Sequence, residues 1–517
     1  MLNVEPLHLL VILTNRSQGS LPRINTISVE LLSLILHFSR AEPRLHFGTS
    51  DLHYQNLSIV RLSAVCRIWR AVAIGDAILW CNIAFSTSRL STIKCATEFL
   101  RRSREAIITV QLFDFRRDTT SHIDEVSELA HRIAQQSGRI GKFEAVGLSF
   151  PVVRALALPA VRLTHLTING RGVEELPLVF GGQLPHLKQL TLSNPSGWQL
   201  RAFQDVTRVE LFGAGSRILL SSLIDFLDGA TNLEQLVLSR FSEFRPERRN
   251  VEWTPVTLPS LRELRFSDCN AARILDHLDL PPSARVSILA TYDPNNRHVL
   301  HYLPSMGSFH RFLDNTRSLS ITLHSTGDVF HLVARPCNSE FACLLRIDDD
   351  RKRFDEGWVL RSIDAIAECK PFSRINTLNV SVGQCAVPWR RWLPRLDQLV
   401  SADVCSIDIG DLVFTLSRTH PRCGGPICPS LRRLSVERRG CGPALDSSVL
   451  KMCLLARSQA GHPISRLRLQ AWDWTLIDRM DLGWKALIRS RGKYMYISDD
   501  PPICNAFIPQ KPQMEPR

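Results

Sequence analysis

Residues 187–194 read LKQLTLSN, with leucine at the first, fourth and sixth places and polar residues between. In an extended chain successive side chains alternate faces, so Leu190 and Leu192 share one side while Gln189, Thr191 and Ser193 share the other. Leu187 stands just ahead of that strand. The same spacing returns in Leu163/Leu166/Ile168, Val206/Val209/Leu211, Leu233/Leu236/Leu238, Leu261/Leu264/Phe266, Ile375/Leu378/Val380, Leu431/Leu434/Val436 and Ile464/Leu467/Leu469. In these eight copies 22 of the 24 alternate positions are not apolar, the exceptions being Phe212 and Val237. That pattern predicts strands with one dry face and one wet face.

Weaker copies fill the gaps at Ile107/Val110/Leu112, Phe143/Val146/Leu148, Thr316/Leu319/Ile321, Ala342/Leu345/Ile347 and Val404/Ile407/Ile409, with starting positions 19 to 36 residues apart wherever no copy is missing. Between them lie segments of helical period: HIDEVSELAHRIAQ, LLSSLIDFLDG, WVLRSIDAIAEC, DIGDLVFTLSR and LDSSVLKMCLLARS. A unit of strand, turn and helix at this period cannot cover its own apolar edge and is completed by its neighbour. The expected architecture for residues 85–493 is an irregular leucine-rich-repeat-like α/β solenoid, with 271–313 either a degenerate repeat or an insertion. Asn169, Asn194 and Asn270 stand near the place where such repeats carry asparagine.

The chain has 517 residues, too many for one ordinary core, with 44% hydrophobic and 22% charged residues, a globular balance. The net charge of +13 is spread along the length and interleaved with acids, as in DDDRKRFDE at 348–356. No continuous basic stripe marks a nucleic-acid face. Fourteen cysteines are scattered singly, which suits reduced thiols and a cytoplasmic or nuclear setting. The opening MLNVEPLHLLVIL lacks a basic residue before its apolar run and no segment approaches eighteen consecutive apolar residues, so neither a signal peptide nor a membrane partner is expected. Residues 1–23 read as a flexible N-terminal segment and the proline-rich 494–517 as an edge segment and tail.

The N-terminal region has a different rhythm. In INTISVELLSLILHFSR, Ile27, Leu31, Leu34, Ile35 and Phe38 fall at helical spacing, with Ser28 placed to cap and Glu30 in the first turn. A polar loop over about 39–55 leads to LSIVRLSAVCRIWRAVA, whose apolar set is Leu57, Val60, Leu62, Val65, Ile68, Trp69 and Val72. Gly75 and Asp76 break that helix, and AILWCNIAF returns over it. So small a unit needs large anchors; Trp69 and Trp80 supply them, each contributing roughly 2–3 kcal/mol if fully buried.

The order ISVELL, VCRIWRAVA, LWCNI over residues 24–84 resembles the F-box, in the variety found in large fungal families that join it to a repeat region. Ile27-Ser28 stands where that family has Leu-Pro. The resulting fold class is α+β/α/β: a three-helix F-box followed by the solenoid. The resemblance implies that Ile27, Leu31, Leu32, Ile35 and Val65 help form a surface for a Skp-family linker protein, around a core of Trp69 and Trp80. It further implies a substrate-recognition adaptor of an SCF-type ubiquitin ligase, with the cullin complex as partner and the solenoid binding a protein target.

No phosphate-loop, zinc-protease or serine-hydrolase motif occurs, so an enzyme is not expected and no cofactor is implied. Cys423, Cys428, Cys441, Cys453 and His420 lack the two tight pairs of a zinc site and read as loop and core thiols. The run Arg101-Arg102-Ser103-Arg104 suits a helix C-terminus more than an import signal. The target-facing candidates are the outward strand residues Arg208, Glu210, Phe212, Glu263, Arg265, Arg433, Glu437, Arg466 and Arg468, expected on the concave side. The alternative from another class is a repeat scaffold binding protein or RNA without a ubiquitin role, its N-terminal helices serving only to cap the array.

Overall fold

The computed structural model describes residues 27–39, 58–86, 89–113, 123–147, 157–169, 179–193, 203–213, 219–241, 244, 254–304, 308–324, 326–336, 343–349, 354–383, 385–406, 409–421, 424–438, 447–470 and 494–496. The chain divides into two units, Met1–Arg262 and Glu263–Arg517. Both are α/β, and their sheets are mostly parallel.

The first unit begins with helices α1 (Val29–Phe38), α2 (residues 58–63) and α3 (Arg67–Gly75). The helix expected from residue 57 onward is broken at 64–66, and Leu57 lies outside the described residues. Seven strands follow: β1 (Asn82–Ser86), β2 (Ile108–Phe113), β3 (Ile140–Val146), β4 (His165–Asn169), β5 (Gln189–Ser193), β6 (Arg208–Phe212) and β7 (Gln235–Ser239). Each pairs parallel with the next. The chain returns between them through α4 (Leu90–Arg102), α5 (Ile123–Gln135), α6 (Leu220–Gly229) and short turns.

Two inward rows run across this sheet. One is Ile83, Val110, Phe143, Leu166, Leu190, Val209 and Leu236; the other is Phe85, Leu112, Ala145, Ile168, Leu192, Leu211 and Leu238. All fourteen residues are buried. The expected triplets therefore hold in register from Leu163 to Leu238, but Phe143/Val146/Leu148 was set one repeat position out. The true set is Ile140/Phe143/Ala145, where alanine fits between the larger Leu112 and Ile168. The boundary drawn at residue 84 falls inside β1, and Trp80/Ile83/Phe85 is itself the first copy.

The second unit contains β8 (Glu263–Ser267), β9 (Arg285–Thr291), β10 (Ser318–Leu323), β11 (Val329–Arg335), β12 (Cys343–Asp348), β13 (Thr377–Gly383), β14 (Ser401–Ser406), β15 (Arg433–Arg438), β16 (Arg466–Gln470) and β17 (Tyr494–Tyr496). Its spatial order is β8, β9, β12, β11, β10, β13, β14, β15, β16, β17. Thus β9 gives the poorly fitting 271–313 segment a place in the ladder. The irregularity is β11, which runs antiparallel to both neighbours.

This excursion is held by rings packed behind it. Trp358, on α7 (Glu356–Glu368), stacks on Phe354 at 5.0 Å and meets Tyr292 and Phe330 edge-on at 5.4 and 5.5 Å. Further on, α8 (Trp389–Trp392), α9 (Ile409–Leu416) and α10 (Ser447–Gln459) separate the last parallel strands. Of the expected Ala342/Leu345/Ile347 set, Leu345 and Ile347 are buried and Ala342 lies outside the described residues, while the two rows shared with β8 are taken by Cys343 and Leu345. Likewise Val404/Ile407/Ile409 gives way to Leu399/Ala402/Val404, with Ile407 outside the described residues.

Two imidazoles make this unit sensitive to acid. Burial, reinforced by Arg346, holds the pKa of His331 below the ordinary 6.5; burial and then His301 do the same for His298. As pH falls, the unfolded chain takes up these protons first, so their stabilising contribution is complete above 6.5 and is lost as pH drops toward the lowered folded values. The melting temperature is expected to fall between about pH 7.5 and about pH 5.5, with His331→Gln flattening the profile. An unchanged profile in that variant would remove His331 from the account.

Candidate functional site

Helix α1 starts where Ser28 Oγ accepts the Leu31 N–H at 3.3 Å, as its sequence position predicts. The helix is apolar on two sides. Leu32 and Leu36 point inward and are 0% exposed, whereas Leu31 is 57% and Phe38 76% exposed, with Leu34 also outward. The expected linker-facing set is thereby split: Leu31 and Val65 are on the surface, Ile27 and Ile35 are half-buried, and Leu32 belongs to the core. The i, i+3, i+4, i+7 stripe chosen from sequence is the solvent-facing one, because Leu32 and Leu36 form a second stripe of equal hydropathy.

Beneath this surface the module is closed. Trp69 and Trp80 are buried; Trp80 Nε1 donates to the Ala73 carbonyl at 2.6 Å and its ring meets Phe99 edge-on at 4.9 Å. Arg102 covers the same ring at 4.3 Å while pairing with Glu98. Asp76 joins the ends of the helices: it accepts from Ser33 Oγ at 2.9 Å and from Ile78 N at 3.1 Å, and lies 2.8 Å from His37 Nε2. Val60, Val65, Ile68 and Ile78 are exposed. The result is a closed interior, in which Trp69 Nε1 has no acceptor among the described residues, carrying an uncovered apolar exterior.

The strand face predicted to be wet is wet. On β6 Arg208 pairs with Glu210 at 3.0 Å, and Phe212 is half-buried beside them. On β8 Arg265 pairs with Glu263 at 2.7 Å. Arg433, Arg466 and Arg468 are exposed on β15 and β16, and Glu437 is half-buried.

No protein family's profile matches the chain, and no curated protein matches it. Among solved structures, it is similar to the TLR13 chain of a TLR13–ssRNA13 complex. The identity is 11% and the TM-score 0.24, over 70% of this chain and 52% of that one. The match thus spans about half the length of that chain, and a similarity of this size does not define a fold.

Of the cysteine and histidine group, Cys423 and Cys441 lie outside the described residues. Cys428 Sγ donates to the Leu393 carbonyl, His420 Nε2 lies 2.8 Å from the Pro394 carbonyl, and burial pushes the Cys428 thiol up to about 12. Among the described residues no three such side chains converge on a cation site, and no helix is long and apolar enough to cross a membrane. Two arginines escaped the sequence reading. Arg139 and Arg457 are buried and grip backbone carbonyls of the preceding repeat. Arg139 follows α5 and Arg457 lies in the last turn of α10, positions where a cation ordinarily signals only a dipole contact.

Proposed function

We propose that the chain is the target-recognition adaptor of an SCF-type ubiquitin ligase. The N-terminal helices act as an F-box that docks on a Skp-family linker and through it the cullin complex. The α/β repeats form a leucine-rich-repeat-like solenoid that binds the protein target. The observation that carries the reading is the apolar exterior of α1 to α3, exposed over a closed tryptophan core. A helical cap needs only its inner face, whereas Leu31, Leu34, Phe38, Val65 and Ile68 lie on the outer one. Each such side chain taken from water contributes up to about 1.5–3 kcal/mol to docking. The chain then contributes position, raising the concentration of a target lysine near a charged ubiquitin carrier.

The test is capture of a Skp-family linker by the full-length protein. A fragment ending near residue 90 would strip Phe99 from Trp80 and β2 from β1. Leu31→Asp is expected to abolish capture while leaving the melting temperature nearly unchanged, and Leu32→Asp to unfold the module. Capture that survives Leu31→Asp, or its absence with a folded wild type, would favour the scaffold reading.

A further inference from the structure

We propose that the outward face of β15 and β16, centred on Arg433 and Arg466, docks an extended, carboxylate-rich segment of a protein partner. This names the chemistry of the target in the proposed function, but its evidence lies wholly in the second unit.

Three outward arginines of these sheets are neutralised along their own strand. Arg208 pairs with Glu210, Arg265 with Glu263 and Arg346 with Asp348, in each case two residues apart on one face. Two residues beyond Arg433 is Ser435, and two beyond Arg466 is Arg468. Arg433 and Arg466 are moreover register partners on adjacent strands. Like charges directly opposite each other destabilise a sheet. Among the described residues neither has an ion-pair partner, and both are exposed.

The row they share contains no acid. It runs Arg335, Ser318, Thr377, Ser401, Arg433, Arg466, Tyr494 across seven strands, a line of cations and hydroxyl-bearing residues. Acids enter only in the rows above. Asp403 shares the next row with Ser435 and Arg468, and Glu437 lies in the one after. Asp403 accepts a hydrogen bond from Ser435 and is drawn to Arg468, so that third arginine is partly satisfied.

This change of sign selects the occupant. Rows two residues apart are separated by roughly 6.6 Å, within a physiological Debye length of about 8 Å. A uniformly charged polyphosphate laid on Arg433 and Arg466 would meet Asp403 at that range. An extended peptide, whose side chains alternate and whose charge can change within a few residues, sets carboxylates over the arginine pair without that penalty.

The probe is a fluorescent peptide of alternating glutamate and serine, titrated into the full-length protein, with a lysine-serine peptide and a single-stranded oligouridylate as comparators. The glutamate peptide is expected to bind with a salt-weakened affinity. The double variant Arg433→Ser/Arg466→Ser should lose at least about tenfold. Arg265→Ser should change nothing. The double variant should melt no lower than wild type, since it relieves a like-charge contact. The inference is overturned if the glutamate peptide fails to bind, if the double variant binds equally, if it melts well below wild type, or if only the oligouridylate binds. Linker capture by the double variant should be unaltered. Peptide binding without linker capture would sink the ubiquitin reading alone.

Discussion

Trp80→Ala is expected to destabilise the N-terminal part of the first unit by about 3–5 kcal/mol, the range for deleting a fully buried indole. The side chain is 1% exposed and serves three neighbours at once. It is the inward residue ahead of β1, it meets Phe99 of α4 at 4.9 Å, and it ties off the Ala73 carbonyl at the end of α3. Alanine leaves a cavity, an unpartnered carbonyl and an Arg102 guanidinium with no ring beneath it. Because repeat proteins are coupled mainly to nearest neighbours, the loss should be local. Amide exchange should accelerate in α3 and α4 while β15 and β16 remain protected. Trp80→Phe keeps most of the ring contact and should cost about 1 kcal/mol plus a packing remainder. Exchange rates in α3 unchanged by Trp80→Ala would refute this picture of the junction.

Arg139→Ala should be nearly as damaging. Arg139 is 7% exposed and donates to the Leu100 and Ala106 carbonyls at 3.1 and 3.0 Å, to Ser103 Oγ at 2.9 Å and to Gln136 Oε1 at 2.9 Å. These groups close the end of α4, where Ser103 caps the helix and Arg104 turns to φ 48°. Removing the guanidinium strands the Ala106 carbonyl at about 1–3 kcal/mol and leaves the Leu100 carbonyl with Ser103 Oγ as its side-chain donor. Lysine should not rescue, since an ammonium cannot span the fork that the planar guanidinium reaches. A chemical denaturation midpoint for Arg139→Lys equal to wild type would show that charge, and not the fork, matters. Arg457 repeats the device in the second unit, donating to Ile427 and Cys428 carbonyls at 2.6 and 2.8 Å.

The strand ladder was legible in the sequence because its inward residues are large and its outward ones polar, the case where period-two alternation is strongest. It failed where alanine took an inward place. At Ala145 and Ala402 the eye slides to the next bulky residue and the register moves with it. The antiparallel β11 was missed for another reason: VFHLVAR alternates as a parallel strand would, and alternation carries no direction. Direction is set by the connections and by the ring cluster around Trp358, both non-local.

The docking surface was half legible. Its residue types and the capping serine were readable, but a helix apolar on two sides gives no local sign of which stripe faces the core. That is decided by the contact of α1 with α3, and Leu32 went to the wrong side on paper. The charge pairing along strands was visible as R-x-E and E-x-R spacings. Its breakdown at Arg433 and Arg466 became meaningful only once the register placed the two side by side.

The most direct test of the central claim is calorimetric titration of a Skp-family linker into the purified full-length protein at two temperatures. The apolar exterior of α1 to α3 predicts saturable one-to-one binding with a negative heat-capacity change, the mark of apolar surface leaving water. A folded protein that releases no heat and shows no binding at either temperature would contradict it.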